Sequence, residues 1–293
     1  AIGANAVSTM RAAFLIGILA AAGALTQGGA ISETVGANLI DGVSITPLAA
    51  AAGLLVAAGF MSFGVYSGYP VPAAFATTGA MVGVGLSLGG DPAFGTYQRI
   101  GTFWLLVPPT SGGLAYVTAK LLRREDVPET VSIPFLAAVV AGILANVRLG
   151  VIPHPDRAQG SVAEALARLV GDPSVLGVDI AVGGVTLVFA ALGFRAIRRR
   201  TKASVEAGVR TLLVVLGSVV AFSSGGSQVG LATGPLENLY GVELGLPGIV
   251  LLSIGATGIL AGAWMGAPRL LQATSREYAQ LGLRRSIAAL VPG

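Results

Sequence analysis

The run Pro47-Leu-Ala-Ala-Ala-Ala-Gly-Leu-Leu-Val-Ala-Ala-Gly-Phe-Met-Ser-Phe-Gly-Val-Tyr66 carries no charged side chain over 20 residues. A helix of that length rises about 30 Å, the thickness of a bilayer's hydrocarbon core. The stretch therefore reads as a membrane span, and it has company. Comparable apolar runs lie at Met10 to Leu25, Pro70 to Leu88, Ile100 to Leu122, Ser132 to Val151, Leu176 to Phe194, Ala207 to Ala221 and Leu246 to Gly266. Of the 293 residues, 54% are hydrophobic and 11% charged, and mean hydropathy is +0.79. A soluble domain of this length needs more charge than that to clothe its surface. A transmembrane barrel would alternate apolar and polar residues in segments of about ten, whereas long unbroken apolar runs dominate this chain. The expected fold is all-α, a polytopic transmembrane helix bundle. Its 43 glycines suit that reading, because small residues let helix backbones approach closely in lipid. Without cysteine there is neither a disulfide framework nor a thiolate metal site.

Charge sets an orientation. The strongest basic clusters are Lys120, Arg123, Arg124 and Arg195, Arg198, Arg199, Arg200, Lys202. Two spans separate them, so both can face the cytoplasm, and that parity places the loop from His154 to Asp172 outside. Within that loop Ser161 to Val170 has the spacing of an interfacial helix. Lysine occurs only at Lys120 and Lys202. That bias suggests GC-rich coding and a prokaryotic plasma membrane as the location. Nothing in the sequence sets an oligomeric state, and a homodimer is left open.

The stretch from Gly23 through Gly36 can be laid on Gly262 through Ser275, and the spans preceding the two run in opposite directions. That is the arrangement of an inverted repeat. It divides the chain into a first repeat (1–99, its N-terminal motif missing), connecting spans and loops (100–205), and a second repeat (206–293, its C-terminal part missing). The reading predicts a polypeptide that continues beyond both ends.

Two segments could carry chemistry. In Ala221 to Leu236, clustered Gly and Ser followed by Pro235 predict a helix broken within the membrane. A half-helix N-terminus there would seat an anion on backbone N–H groups at Gly225 and Gly226, with Ser223, Ser224, Ser227, Gln228 and Thr233 as neutral donors. The alternative makes those glycines packing notches, with the serines bonding back to carbonyls. In Gly68 to Ala80, Pro70 and Pro72 predict a second break, a helix beginning near Pro72, and Thr77 and Thr78 about one turn inside it. A plain hairpin turn explains these prolines equally well.

These residues resemble the inorganic phosphate transporter (PiT) family, whose repeats carry a Gly-Ala-Asn-Asp-Val-Ala-Asn-Ala type motif ending in Gly-Pro-Leu, then a later Gly-Leu-Pro-Val-Ser-Thr-Thr-His motif. Gly225 to Leu236 is similar to the first, keeping Gly225, Val229, Ala232 and Gly234-Pro235-Leu236. Gly68 to Val71, followed by Gly79, is similar to the second. The resemblance implies broken or re-entrant helices, a secondary permease for inorganic phosphate, and sodium or a proton as the coupling ion. The departures are specific: the motif's asparagine falls on Ser227, its aspartate on Gln228 and its second asparagine on Leu231, while Ser-Thr-Thr-His falls on Pro72, Ala73, Ala74 and Phe75. The family also includes sulfate permeases, and a site without a carboxylate suits a fully deprotonated dianion such as sulfate.

Two other classes compete. A membrane-embedded enzyme would need acid, base, nucleophile or metal ligands within the spans, and the apolar runs supply almost none, so neither catalytic nor metal-binding residues are assigned. A non-transporting assembly subunit would account for the departures from the motifs. His154, between two prolines in the outer loop, reads as solvated, and Gly83-Val84-Gly85 is too weak for a nucleotide loop.

Overall fold

The computed structural model describes residues 8–37, 39–67, 71–123, 127–155, 159–171, 174–175, 178–237, 239–265, 287–288 and 290–291. Among them are nine α-helices: α1 (Thr9–Ala37), α2 (Pro47–Ser67), α3 (Ala73–Ser87), α4 (Phe94–Leu122), α5 (Glu129–Ala145), α6 (Val162–Leu169), α7 (Ile180–Ala203), α8 (Val205–Thr233) and α9 (Gly248–Met265). Among the described residues, five segments are long and apolar enough to cross a membrane: Met10–Gly29, Pro47–Gly64, Ile180–Ala203, Val205–Leu236 and Gly248–Met265. Pro70 to Leu88 and Ser132 to Val151, expected as spans, contain instead the shorter apolar helices α3 and α5. α4 covers the expected Ile100 to Leu122 span and runs unbroken through Pro108 and Pro109. Gly68 to Pro70, and the Leu270 to Ser275 counterpart of the repeat, lie outside the described residues.

The chain forms two compact units. One comprises Ile16–Val107 and Ala221–Met265. Its helices meet through small residues. Ala24 of α1, Val229 of α8 and Ala256 of α9 form a buried cluster, flanked by Ala21, Leu252 and Ile259. A second cluster gathers Leu39, Ile40 and Met81, with Tyr97, Ile100 and Leu231 packed on it. α3 starts where Pro72, extended at φ −65° and ψ 123°, pre-sets the chain. It stops at Gly89, whose φ of 83° only glycine adopts without strain, and the Gly90 N–H then donates to the Gly85 carbonyl at 3.1 Å.

The other unit comprises Ala1–Leu15, Pro108–Val220 and Gly266–Gly293. Its core holds Leu122, Ile133, Leu136, Val140, Ile197, Val209, Leu212, Leu213, Leu216 and Ile287. α5 and α7 form its main helix pair, with Gly193 of α7 lying against Ala137 and Ala141 of α5. At the far end of the pair Asn146 Nδ2 donates to Thr186 Oγ1 at 2.8 Å. The helix expected within Ser161 to Val170 is α6, whose capping box is complete. Ser161 Oγ accepts from the Glu164 N–H at 3.1 Å, and Glu164 Oε2 accepts from the Ser161 N–H at 2.8 Å.

Candidate functional site

The Gly-Ser-rich stretch of α8 does not break. The expected interruption around Gly225 and Gly226 is corrected by the structure: one α-helix runs from Val205 to Thr233, so these N–H groups belong to a continuous helical ladder rather than to a helix end. The physical reason lies in the neighbouring helix. A Cβ atom on Gly225 would overlap the Ala20 carbonyl, one on Gly226 would lie 2.7 Å from Gln27 Cβ, and one on Gly23 would overlap the Phe222 carbonyl. The glycines thus bring two backbones into contact, and packing holds a sequence that would break a helix in water. Winding changes only at Gly234, where a 3-10 turn spans Gly234–Leu236. Pro235 has no N–H to offer the Leu231 carbonyl, so the α-helical ladder ends there.

Helical periodicity then sorts the candidate residues onto two faces. Gly225, Gly226 and Thr233 are buried on the face toward α1. Ser223, Ser224, Ser227 and Gln228 share the other, at positions i, i+1, i+4 and i+5. Ser223, Ser224 and Gln228 are exposed and Ser227 is half-buried. Within this stripe the Ser227 hydroxyl donates to the Ser224 carbonyl at 3.1 Å. Thr233 on the buried face donates to the Val229 carbonyl at 2.8 Å, and its Oγ1 lies 3.3 Å from the Ser32 hydroxyl of α1.

The contacts of α1 fix helix directions. With α8 they advance together, from Gly23 against Phe222 to Ser32 against Thr233, so these helices run parallel. With α9 they advance oppositely, from Gly17 against Trp264 to Gly28 against Leu252, so these are antiparallel.

Thr77 and Thr78 sit inside the first turns of α3, as expected, Thr77 buried and Thr78 half-buried. Pro72 has no side chain that can cap α3. One turn beyond Thr77, Met81 joins the cluster on which Leu231 of α8 packs, so α3 and α8 share a core. The Gly234–Leu236 turn packs on α2. Phe75, where the family pattern has histidine, stands edge-on to Trp104 of α4, with ring centroids 4.0 Å apart and planes at 85°.

Sequence reasoning assigned no site role to Gln27 or Ser32. Both lie in the Gly23 to Gly36 stretch that marks the repeat, Gln27 beside Thr26 and Ser32 beside Glu33 and Thr34. Their signal is that polar side chains in a span need partners. Among the described residues no group of three His, Cys, Asp or Glu side chains could hold a metal ion.

Comparison with known proteins gives consistent findings. No curated protein matches. A solved structure described as "The sodium-dependent phosphate transporter" superposes with a TM-score of 0.79 at 19% identity, covering 99% of this chain and 75% of that one. At that identity the likeness establishes the fold. The profile described as "Phosphate transporter family" matches residues 1–292, nearly the whole chain, and it does so across the segments whose geometry is described above. This chain belongs to the phosphate transporter family.

Proposed function

We propose that this protein is a secondary permease that carries inorganic phosphate across a prokaryotic plasma membrane, with a sodium ion as the coupling cation. The observation that carries the reading is the stripe of Ser223, Ser224, Ser227 and Gln228 on the open face of a helix long and apolar enough to span a membrane. Polar groups in a span cost free energy unless they serve a partner or a wet path. Hydroxyls and a carboxamide both donate and accept, so the stripe can bind unprotonated phosphate oxygens and also accept from a protonated one. The missing carboxylate therefore does not select sulfate, and membership of a phosphate transporter family supports phosphate over sulfate.

Thr77 and Thr78 supply further hydroxyls from α3. Gly225, Gly226 and Thr233 serve the site by holding α1 against α8. Sodium is supported by the structural relative, which is a sodium-dependent transporter. Neutral oxygens can coordinate it, and the phosphate bound with it supplies the opposing charge. The antiparallel course of α1 and α9 supports the reading of 1–99 and 206–293 as inverted repeats joined by 100–205.

Uptake of radiolabelled phosphate into vesicles reconstituted with the full chain tests the proposal. Uptake should follow an inward sodium gradient and survive excess sulfate. Gln228→Leu should lower it about tenfold or more, the loss of a hydrogen bond to the charged anion. Sulfate uptake in place of phosphate, or a Gln228→Leu variant that transports like the parent, would overturn it.

A further inference from the structure

We propose that the cytoplasmic end of α7 is a binding site for the phosphate headgroup of an anionic phospholipid. The apolar part of α7 runs from Ile180 to Phe194, and cations begin at Arg195. Fifteen residues rise about 22 Å, short of a hydrocarbon core of about 30 Å. The helix nevertheless continues to Ala203, so a bilayer that covers the apolar part would put Arg195 and Arg198 at the depth where acyl chains give way to headgroups. From Ile180 the expected Leu176 to Phe194 span is helical, and the helix continues through the basic residues to Ala203.

The cations are also arranged. Arg195, Arg198, Arg199 and Lys202 fall at i, i+3, i+4 and i+7, one stripe of the helix, and all four are exposed. Ile197 and Thr201 turn the opposite face into the protein and are buried. The Arg198 guanidinium lies over the Phe194 ring, 5.7 Å from its centroid, turned back toward the apolar end of the helix. Orienting the protein by positive charge would need neither a stripe nor a guanidinium held at the last apolar turn. A cation in that place needs an anion beside it.

The surroundings add positive charge. Leu122 at the end of α4 shares a buried cluster with Ile197, which brings the exposed Lys120 and Arg123 to the same end of the unit. The described carboxylates at this end, Glu129 and Glu206, begin α5 and α8 rather than lying on the stripe. α7 is also the least buried of the five apolar spans, so within this chain its surface is open to lipid. A lipid phosphate is the anion that a bilayer presents at that depth, and several clustered cations favour lipids of net negative charge.

The test uses the full-length protein in detergent with equal amounts of phosphatidylglycerol and phosphatidylcholine of identical acyl chains, and native mass spectrometry counts the lipids retained. The parent should keep phosphatidylglycerol in about tenfold preference or more. Arg195→Gln/Arg198→Gln/Arg199→Gln/Lys202→Gln should keep both lipids equally, whereas Arg99→Gln/Arg148→Gln, which removes cations elsewhere, should behave as the parent. If the fourfold variant fails to fold, the milder Arg195→Gln/Arg198→Gln should still lose most of the preference. A parent without preference, or a stripe variant that retains it, overturns the proposal. So does displacement of the bound lipid by excess inorganic phosphate, which would mark the stripe as a site for the free anion.

Discussion

Gly23 of α1 faces the backbone carbonyl of Phe222 in α8 with no room for a Cβ atom between them. Gly23→Ala should therefore push the helices apart and cost about 1–3 kcal/mol, as overpacking does. Gly258→Ala on α9, where nothing lies within 4 Å, is the matched control and should be neutral or slightly stabilising. Thermal unfolding in detergent separates the two, and equal melting temperatures would contradict the close contact.

The Ser32–Thr233 pair should be worth about 0.6 kcal/mol, the average for hydrogen bonds between membrane helices. A double-mutant cycle of Ser32→Ala and Thr233→Val measures it without counting the bond from Thr233 to Val229. Strict additivity of the two substitutions would show that the hydroxyls do not interact.

Gly226→Val and Gln228→Asp should fail for different reasons. The valine meets Gln27 across the helix contact, so it should lower stability and phosphate uptake together. The aspartate lies on the exposed face and should leave the melting temperature unchanged while weakening phosphate binding by like-charge repulsion. Raised sodium should restore part of that binding if the new carboxylate recruits the cation. A Gln228→Asp protein that melts early would remove the distinction between the two faces.

Tyr97 gives a pH signature. Its hydroxyl is buried without a hydrogen-bond partner, and burial first, then the Asp41 charge, raise its pKa above the ordinary 10.0. The folded state thus holds the proton more tightly than the unfolded state. The stability so gained is fully present below about pH 10 and is lost as pH rises through the folded-state pKa. Tyr97→Phe should flatten that alkaline decline and leave stability at neutral pH equal or higher, since it removes an unpaired hydroxyl. Melting curves from about pH 8 to about pH 11 check this, and an unchanged slope would exclude Tyr97 as its source.

Much of this architecture is legible in the sequence because lipid makes the code simple. Unbroken apolar runs such as Pro47 to Tyr66 must be helical, and Pro72 must begin a helix rather than continue one. The Ser161 capping box is equally local. What could not be read depends on partners distant in sequence. The composition of Ser223 to Gly230 is that of a breaker, and only the backbone of α1 beside it explains an intact helix. Arg195 to Lys202 reads as a basic cluster at a span end, and because arginine, lysine and alanine are good helix formers the cluster continues α7. The candidate residues can be named from the sequence. Their division into an open stripe and a packed face required knowing which side α1 covers.

The backbone contact of α1 with α8 also has a mechanical meaning. Side chains can flex to let one helix slide past another, but carbonyls seated against Gly23 and Gly225 cannot. The two helices make a strut, and motion during a transport cycle must be taken up at joints. One joint is in place at the end of α8, where α winding gives way to a 3-10 turn at Gly234–Leu236 and a π turn at Leu239–Glu243. Ser32→Cys/Thr233→Cys, oxidised in a chain without other cysteines, should therefore carry phosphate at the rate of its reduced form. A carrier so braced works like a door on hinges rather than a piston in a sleeve.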